Sequence, residues 1–154
     1  MPAALIESWE GQAAERRGEN SSLDWKPILE RGQEVVANMH AAGVPFLAGT
    51  DLGVAFVYPG SSLLDELVAL VEIGGLQPLE ALRAASVHAA AWLGWDGVGS
   101  IREGYRADML LLEGDPLADM ENVKRIHTVI SRGVVHGPDA RARWLVEPAP
   151  ADDD

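Results

Sequence analysis

The stretch Gly43-Val44-Pro45-Phe46-Leu47-Ala48-Gly49-Thr50-Asp51 constrains this chain more than any other. Phe46, Leu47 and Ala48 form an apolar run without alternation, which suits a strand covered on both faces, as in parallel sheets. Pro45 has no N–H and fits the first residue of a strand. Gly49 allows a backbone conformation that a side chain would hinder. The spacing therefore predicts a short buried strand over residues 44–48, with the Asp51 carboxylate just past its C-terminal end. In α/β barrels and open α/β sheets, ligands and catalytic groups gather at that end. The stretch alone leaves a second reading open. An Asp after Gly-Thr is commonly a turn residue or helix cap bonded to nearby backbone N–H groups.

The rest of the composition narrows the field. The chain has 154 residues, 47% of them apolar, enough for one domain with a core or for parts of two. A net charge of −12 argues against a nucleic-acid backbone or an anionic membrane as partner. No cysteine is present, which excludes disulfides and thiolate metal sites and fits a cytoplasmic location. No stretch approaches the ~20 apolar residues that span a bilayer. The Pro- and Asp-rich end from Glu147 to Asp154 reads as disordered tail.

Read in order, residues 1–23 form a leader with a possible helix over Ala3 to Arg17. Asp24 is a candidate N-cap and Pro27 fits a first helical turn. Ile28, Leu29, Val35, Val36 and Met39 then recur at helical spacing, and Gly43 stands where a left-handed cap belongs. After Asp51 an apolar loop runs to Gly60. Ser62 and Asp65 have capping-box spacing, and Leu64, Leu67, Val68 and Val71 mark a helix face widened by Leu63 and Leu70. Gly74-Gly75 end it. Pro78 opens a further helix whose stripe is Leu79, Leu82, Ala85, Ala89 and Leu93, with Gly94 as its stop. Beyond it, Val98 to Ile101, Ala107 to Leu112, Ile126 to Ser131 and Val134 to His136 read as short strands. Gly114-Asp115-Pro116 is a turn signal. Asp119 to Val123 suggests one helical turn, and Arg141 to Val146 a last short element.

An ordered set of motifs runs through these elements. It comprises Gly43-Val44-Pro45 through Gly49-Thr50-Asp51; Pro59-Gly60-Ser61-Ser62-Leu63 with Glu66-Leu67; and Pro78-Leu79-Glu80-Ala81-Leu82-Arg83-Ala84-Ala85. It continues with Leu93-Gly94; Gly99-Ser100-Ile101 with Gly104; Ala107-Asp108-Met109-Leu110-Leu111-Leu112; Gly114-Asp115-Pro116-Leu117; and Val129 to Gly133. Each is weak alone; in this order and spacing, over residues 24–137, the set resembles the C-terminal part of the metal-dependent amidohydrolase superfamily, especially its imidazolonepropionase-like and prolidase-like members.

The resemblance implies an α/β fold: the C-terminal fragment of a (β/α)8 TIM-like barrel over residues 24–94, then part of a small composite β-sandwich over 95–137 and a tail over 138–154. It implies that Asp51 matches the family's strand-eight aspartate, which binds a divalent metal such as zinc and moves a proton to and from the attacking water. Thr50 and Tyr58 would line the substrate side at the barrel mouth. The implied activity is hydrolysis of a C–N bond in a small amide, a cyclic amide or an X-Pro dipeptide.

The departures carry equal weight. No His-x-His pair occurs anywhere, and the family's remaining ligands have no counterpart here. Leu64 stands where relatives often have His, and His88-Ala89 where they often have Asn-Pro. The resemblance thus implies the last third or so of such an enzyme, binding no metal and inactive by itself, and prone to self-association or in need of a complementing chain. The alternative is a non-catalytic structural or interaction module, or the relic of a truncated gene. His40, His88, His127 and His136 are expected to be structural or surface residues. Trp9, Trp25, Trp92, Trp95 and Trp144 are expected in cores or interfaces.

Overall fold

Helix α1, Lys26–Ala41, ends where the sequence places its stop. Gly43 takes φ +73°. The N–H of Val44 then reaches back to the Met39 carbonyl at 3.0 Å, and that of Ala42 to the Asn38 carbonyl at 3.0 Å. This is the closure a left-handed residue permits after the last helical turn. A computed structural model describes residues 26–53 and 57–146. The Ala3–Arg17 helix, the Asp24 cap and the tail from residue 147 lie outside the described residues. The chain divides into two compact units, Met1–Leu82 and Arg83–Asp154.

In the first unit, α1 is followed by extended chain over residues 44–51 and an isolated bridge at Leu52. The strand expected over 44–48 is therefore not formed as a ladder. The physical reason is that a parallel strand exists only through hydrogen bonds to its neighbours. Among the described residues none pairs with this segment over 44–48. Helix α2, Ser62–Glu72, buries Leu67, Val68 and Leu70. The expected box between Ser62 and Asp65 is replaced by a different contact. The cap residue is Ser61, with no side-chain cap bond, and the Ser62 hydroxyl instead accepts the Tyr58 N–H at 2.8 Å. Gly74-Gly75 end α2 as expected, and the Leu76 N–H closes on the Leu70 carbonyl at 3.1 Å. Leu76 and Ala81 join the α2 residues in the core.

Helix α3, Pro78–Ala84, begins with Glu80 reaching back to the Gln77 N–H at 2.7 Å. The same carboxylate oxygen lies 3.3 Å from Nε2 of His40. The pair is half exposed, so its worth is about 0–1 kcal/mol. The single helix expected from Pro78 to Gly94 is in fact two. Helix α4, Val87–Leu93, is separated from α3 at Ser86, whose φ −132° and ψ −94° leave the helical region. Ser86-Val87 pairs a residue that competes for backbone hydrogen bonds with a β-branched one, so the ladder is weakest there.

The second unit continues from Gly94 through turns. Val98 to Ile101, expected as a strand, forms none; it curves through bends. Gly99 explains the shape. It takes φ +80°, and a Cβ there would lie 2.9 Å from the Ser86 carbonyl oxygen and 3.0 Å from the Ala90 Cβ. That close approach suits a bent backbone without a side chain.

The remaining strands form one three-stranded antiparallel sheet in sequence order: β1, Met109–Leu112; β2, Ile126–Ser131; β3, Val134–His136. Met109 faces Ile130, and Val129 faces His136. A 3-10 turn, Met120–Lys124, is capped by Asp119, whose carboxylate accepts the Glu121 N–H at 3.0 Å. It buries Met120 and Val123. Helix α5, Pro138–Val146, follows. The β2–β3 turn is anchored by Asp108, which accepts the Arg132 N–H at 2.7 Å and pairs with the Arg106 guanidinium. Those contacts, the Arg132 N–H first, hold the Asp108 carboxyl below its ordinary range.

Two outcomes follow from these anchors. Gly99→Ala should cost about 2–4 kcal/mol, adding a backbone clash to the left-handed penalty. Gly97→Ala, with φ +73° and nothing within 4 Å, should cost about 1 kcal/mol; urea unfolding of the two variants measures the gap. For Asp108, a depressed folded pKa means that its contribution is complete above the unfolded value of about 3.9 and is lost as pH falls through the lower folded one. The Arg132 amide proton shift, followed by NMR, should titrate with a midpoint below that of an ordinary aspartate.

Candidate functional site

The candidate site lies in the first unit, where the extended chain reaches Gly49-Thr50-Asp51. Asp51 takes φ +52°, one of two non-glycine residues with positive φ among those described. Asp tolerates that region better than most residues, but it still costs about 1 kcal/mol. The side chain of Asp51 is exposed and Thr50 is half-buried. Among the described residues neither makes a recorded side-chain hydrogen bond. The turn-or-cap alternative requires a bond from the Asp51 carboxylate to a nearby N–H, and none is found there among the described residues.

Tyr58, the third residue named from the sequence, is 62% exposed. Its backbone is tied to α2 through the Ser62 hydroxyl and through the Ser62 N–H, which donates to the Tyr58 carbonyl at 3.2 Å. The structure records no contact that brings the Tyr58 ring to Thr50 or Asp51. The loop between them includes residues 54–56, outside the description.

One participant escaped the residue-by-residue reading. Glu66 lies on α2 beside the buried Leu67. Burial pushes its carboxyl above the usual range, and the backbone N–H of Gly49 offsets that only in part. The signal was present in the spacing. Leu63, Glu66, Leu67 and Leu70 stand at i, i+3, i+4 and i+7, so an acid occupies an apolar face. A charge placed there is costly without a partner, which is why the Glu66 carboxyl is pushed up.

The histidines do not converge on Asp51. His40 sits at the end of α1 with Glu80 and packs edge-on to Phe46, centroids 6.4 Å apart. His88 and His127 are exposed, and His136 ends β3. Among the described residues no group of three or more His, Cys, Asp or Glu side chains is placed to hold a metal ion. Catalytic zinc takes three protein ligands and a water. The described residues therefore do not fit a complete metal site; Asp51 offers one oxygen donor and one base.

Comparison with known proteins places this geometry in context. Residues 12–135, more than half of the chain, match the Amidohydrolase family. Ochratoxinase from Aspergillus niger is 42% identical over 82 residues, covering 52% of this chain and 16% of that protein. The crystal structure of A. niger ochratoxinase aligns over 86% of this chain and 30% of its own, with TM-score 0.67 and 29% identity. Imidazolonepropionase from Cereibacter sphaeroides is 37% identical over 89 residues, covering 55% of this chain and 21% of that protein. A Xaa-Pro dipeptidase structure aligns over 68% of this chain and 25% of its own, with TM-score 0.62 and 28% identity. The chain thus spans less than a third of each of these relatives. No helix among the described residues is long and apolar enough to cross a membrane.

The single carboxylate sets an expectation for metal binding. Dialysed against micromolar zinc, the 154-residue chain should retain far less than one ion per chain. One tightly held ion, lost in Asp51→Ala, would show that residues outside the described ones complete a site.

Proposed function

Because this chain belongs to the amidohydrolase family, we propose that it carries the last barrel strand and active-site aspartate of a hydrolase acting on C–N bonds. The substrate class is a small amide, a cyclic amide or an X-Pro dipeptide. The observation that carries the reading is Asp51 itself: a carboxylate with no hydrogen bond among the described residues, at the end of an extended apolar segment, in a backbone conformation that costs energy. Strain kept at such a position points to use. In this reading the segment 44–51 pairs with strands supplied from elsewhere, Thr50 and Tyr58 line the substrate side, and the three-stranded sheet is one part of a composite sandwich.

The chemistry asked of Asp51 is proton transfer. A divalent metal, when bound by a full ligand set, lowers the pKa of a water molecule. The Asp51 carboxylate would take a proton from the attacking water and give it to the departing nitrogen. Asp51 would be one metal ligand, and the metal would be zinc. The chain alone is inactive in this reading, and a complementing chain or joined segment provides the remaining ligands. Exposed apolar side chains support the need for a partner: Ile28, Val35 and Met39 on α1 are 48%, 46% and 40% exposed.

The experiment joins this chain to strands one to seven of an Xaa-Pro dipeptidase and assays amide and dipeptide hydrolysis. Activity should appear only with metal present. Asp51→Asn keeps size and tolerance of left-handed backbone but cannot act as base at neutral pH. It should lower the rate by about 10²–10⁴ with unchanged circular dichroism. A rate within about threefold of the parent would make Asp51 a turn residue.

A further inference from the structure

Two non-glycine residues among those described hold a positive φ, Asp51 and Arg132. The second stands in the hairpin between β2 and β3. Ser131 pairs with Val134 there, which leaves Arg132 and Gly133 as a two-residue turn. Their φ values are +50° and +81°. Such a turn favours Asn or Gly at its first central position and Gly at its second, so arginine is a poor choice on steric grounds. The anchor of the turn does not explain it either. Asp108 accepts the backbone N–H of Arg132, and any residue but proline would supply that N–H. A strained position that keeps a costly side chain points to a use for the side chain.

That side chain borders a cavity of about 460 Å³ at one end of the β1–β2 pair. Arg106, before β1, and Arg132, after β2, both line it. Met109, Leu110, Val129 and Ile130 give it apolar walls. The volume is that of a small-molecule site. Its polar groups are unevenly matched. Asp108 takes the Arg132 N–H on one carboxylate oxygen and Nε of Arg106 on the other. Among the described residues, the terminal nitrogens of Arg106 and the guanidinium of Arg132 have no hydrogen-bond partner. Two guanidiniums against one carboxylate leave the lining with a positive excess, in a chain whose net charge is −12.

We infer that this cavity binds a small carboxylate with an apolar body, its oxygens held by the guanidiniums of Arg106 and Arg132 and its body against the walls at Leu110 and Val129. The planar N–H fork of arginine matches the two oxygens of a carboxylate, which a point charge does not. Apolar walls beside the fork limit the water that competes for it. A bare anion meets only the charge, and an uncharged analogue meets only the walls. Phenylacetate carries both features.

The experiment titrates phenylacetate into the whole chain at low salt, where exposed charges are least screened, and follows it by NMR. The amides of Leu110, Val129 and Arg132 should shift together and saturate with a Kd of about 1 mM or below. Phenylacetamide has the ring without the charge, and acetate the charge without the ring. Each should bind at least about tenfold more weakly. Shifts that do not saturate by about 10 mM, or either control binding as well as phenylacetate, would overturn the inference before any variant is made.

Arg132→Gly separates the side chain from the turn. It keeps the N–H that Asp108 accepts and relieves the left-handed strain, so its melting temperature should equal or exceed that of the parent. Its Kd for phenylacetate should rise at least about tenfold. Arg132→Asn, also tolerant of left-handed backbone, should behave in the same way. Parent-like binding in either folded variant would show that the guanidinium is not used. A lowered melting temperature in both would show that Arg132 serves the fold instead. Either result overturns the inference.

Discussion

The first unit depends on the burial of α2, whose Leu67, Val68 and Leu70 are 5%, 2% and 8% exposed. Backbone donors are obligatory hydrogen-bonding groups. In an extended segment the usual partner is a neighbouring strand, yet residues 44–48 form no ladder among the described residues. The first unit is held by the packing of α2 rather than by pairing of the extended segment. Leu67 and Val68 anchor α2 by burial, and Glu66, one residue away, is half-buried with its carboxyl pushed above the usual range.

At several turns an acidic side chain takes a backbone N–H. Glu80 takes the Gln77 N–H, Asp108 the Arg132 N–H, Asp115 the Leu117 N–H at 2.9 Å, and Asp119 the Glu121 N–H. The acidic excess of 24 Asp and Glu over 12 Lys and Arg is therefore not only a solvated surface. Several acids serve as local acceptors that satisfy backbone donors in turns and at helix starts, which is where short acidic side chains compete best. Apolar burial does less than the composition suggests. Leu110 and Leu111 on β1 and Val134 and Val135 on β3 are all more than half exposed. Their alternation puts apolar groups on both faces of the sheet, as in a layer built to be covered on each side. Trp92 and Trp95 are likewise outside the core, at 75% and 61% exposure.

Local punctuation was legible in the sequence because its causes are local. Gly43 and Gly94 end helices through left-handed backbone, Pro78 opens one, Arg132-Gly133 turns β2 into β3, and a helical turn begins after Asp119. Each depends on the conformational range of one or two residues. The ordered motifs also carried the family, since order and spacing are properties of the chain itself. Asp51 was identifiable as a carboxylate placed after an apolar run.

What only the tertiary structure decided has non-local causes. Phe46 to Ala48 has the composition of a buried strand, but a ladder needs partners that composition cannot supply. The stripe from Leu79 to Leu93 reads as one helix, but the break at Ser86 becomes apparent only with the backbone angles in hand and Gly99 lying against its carbonyl. The positive φ at Asp51 and the burial that raises the Glu66 carboxyl are set by the folded chain around them. Sequence determines which residues can adopt a left-handed backbone or offer an acceptor. Which of them are buried or meet is settled by packing, because α2 must be seated before the environment of its half-buried acid exists.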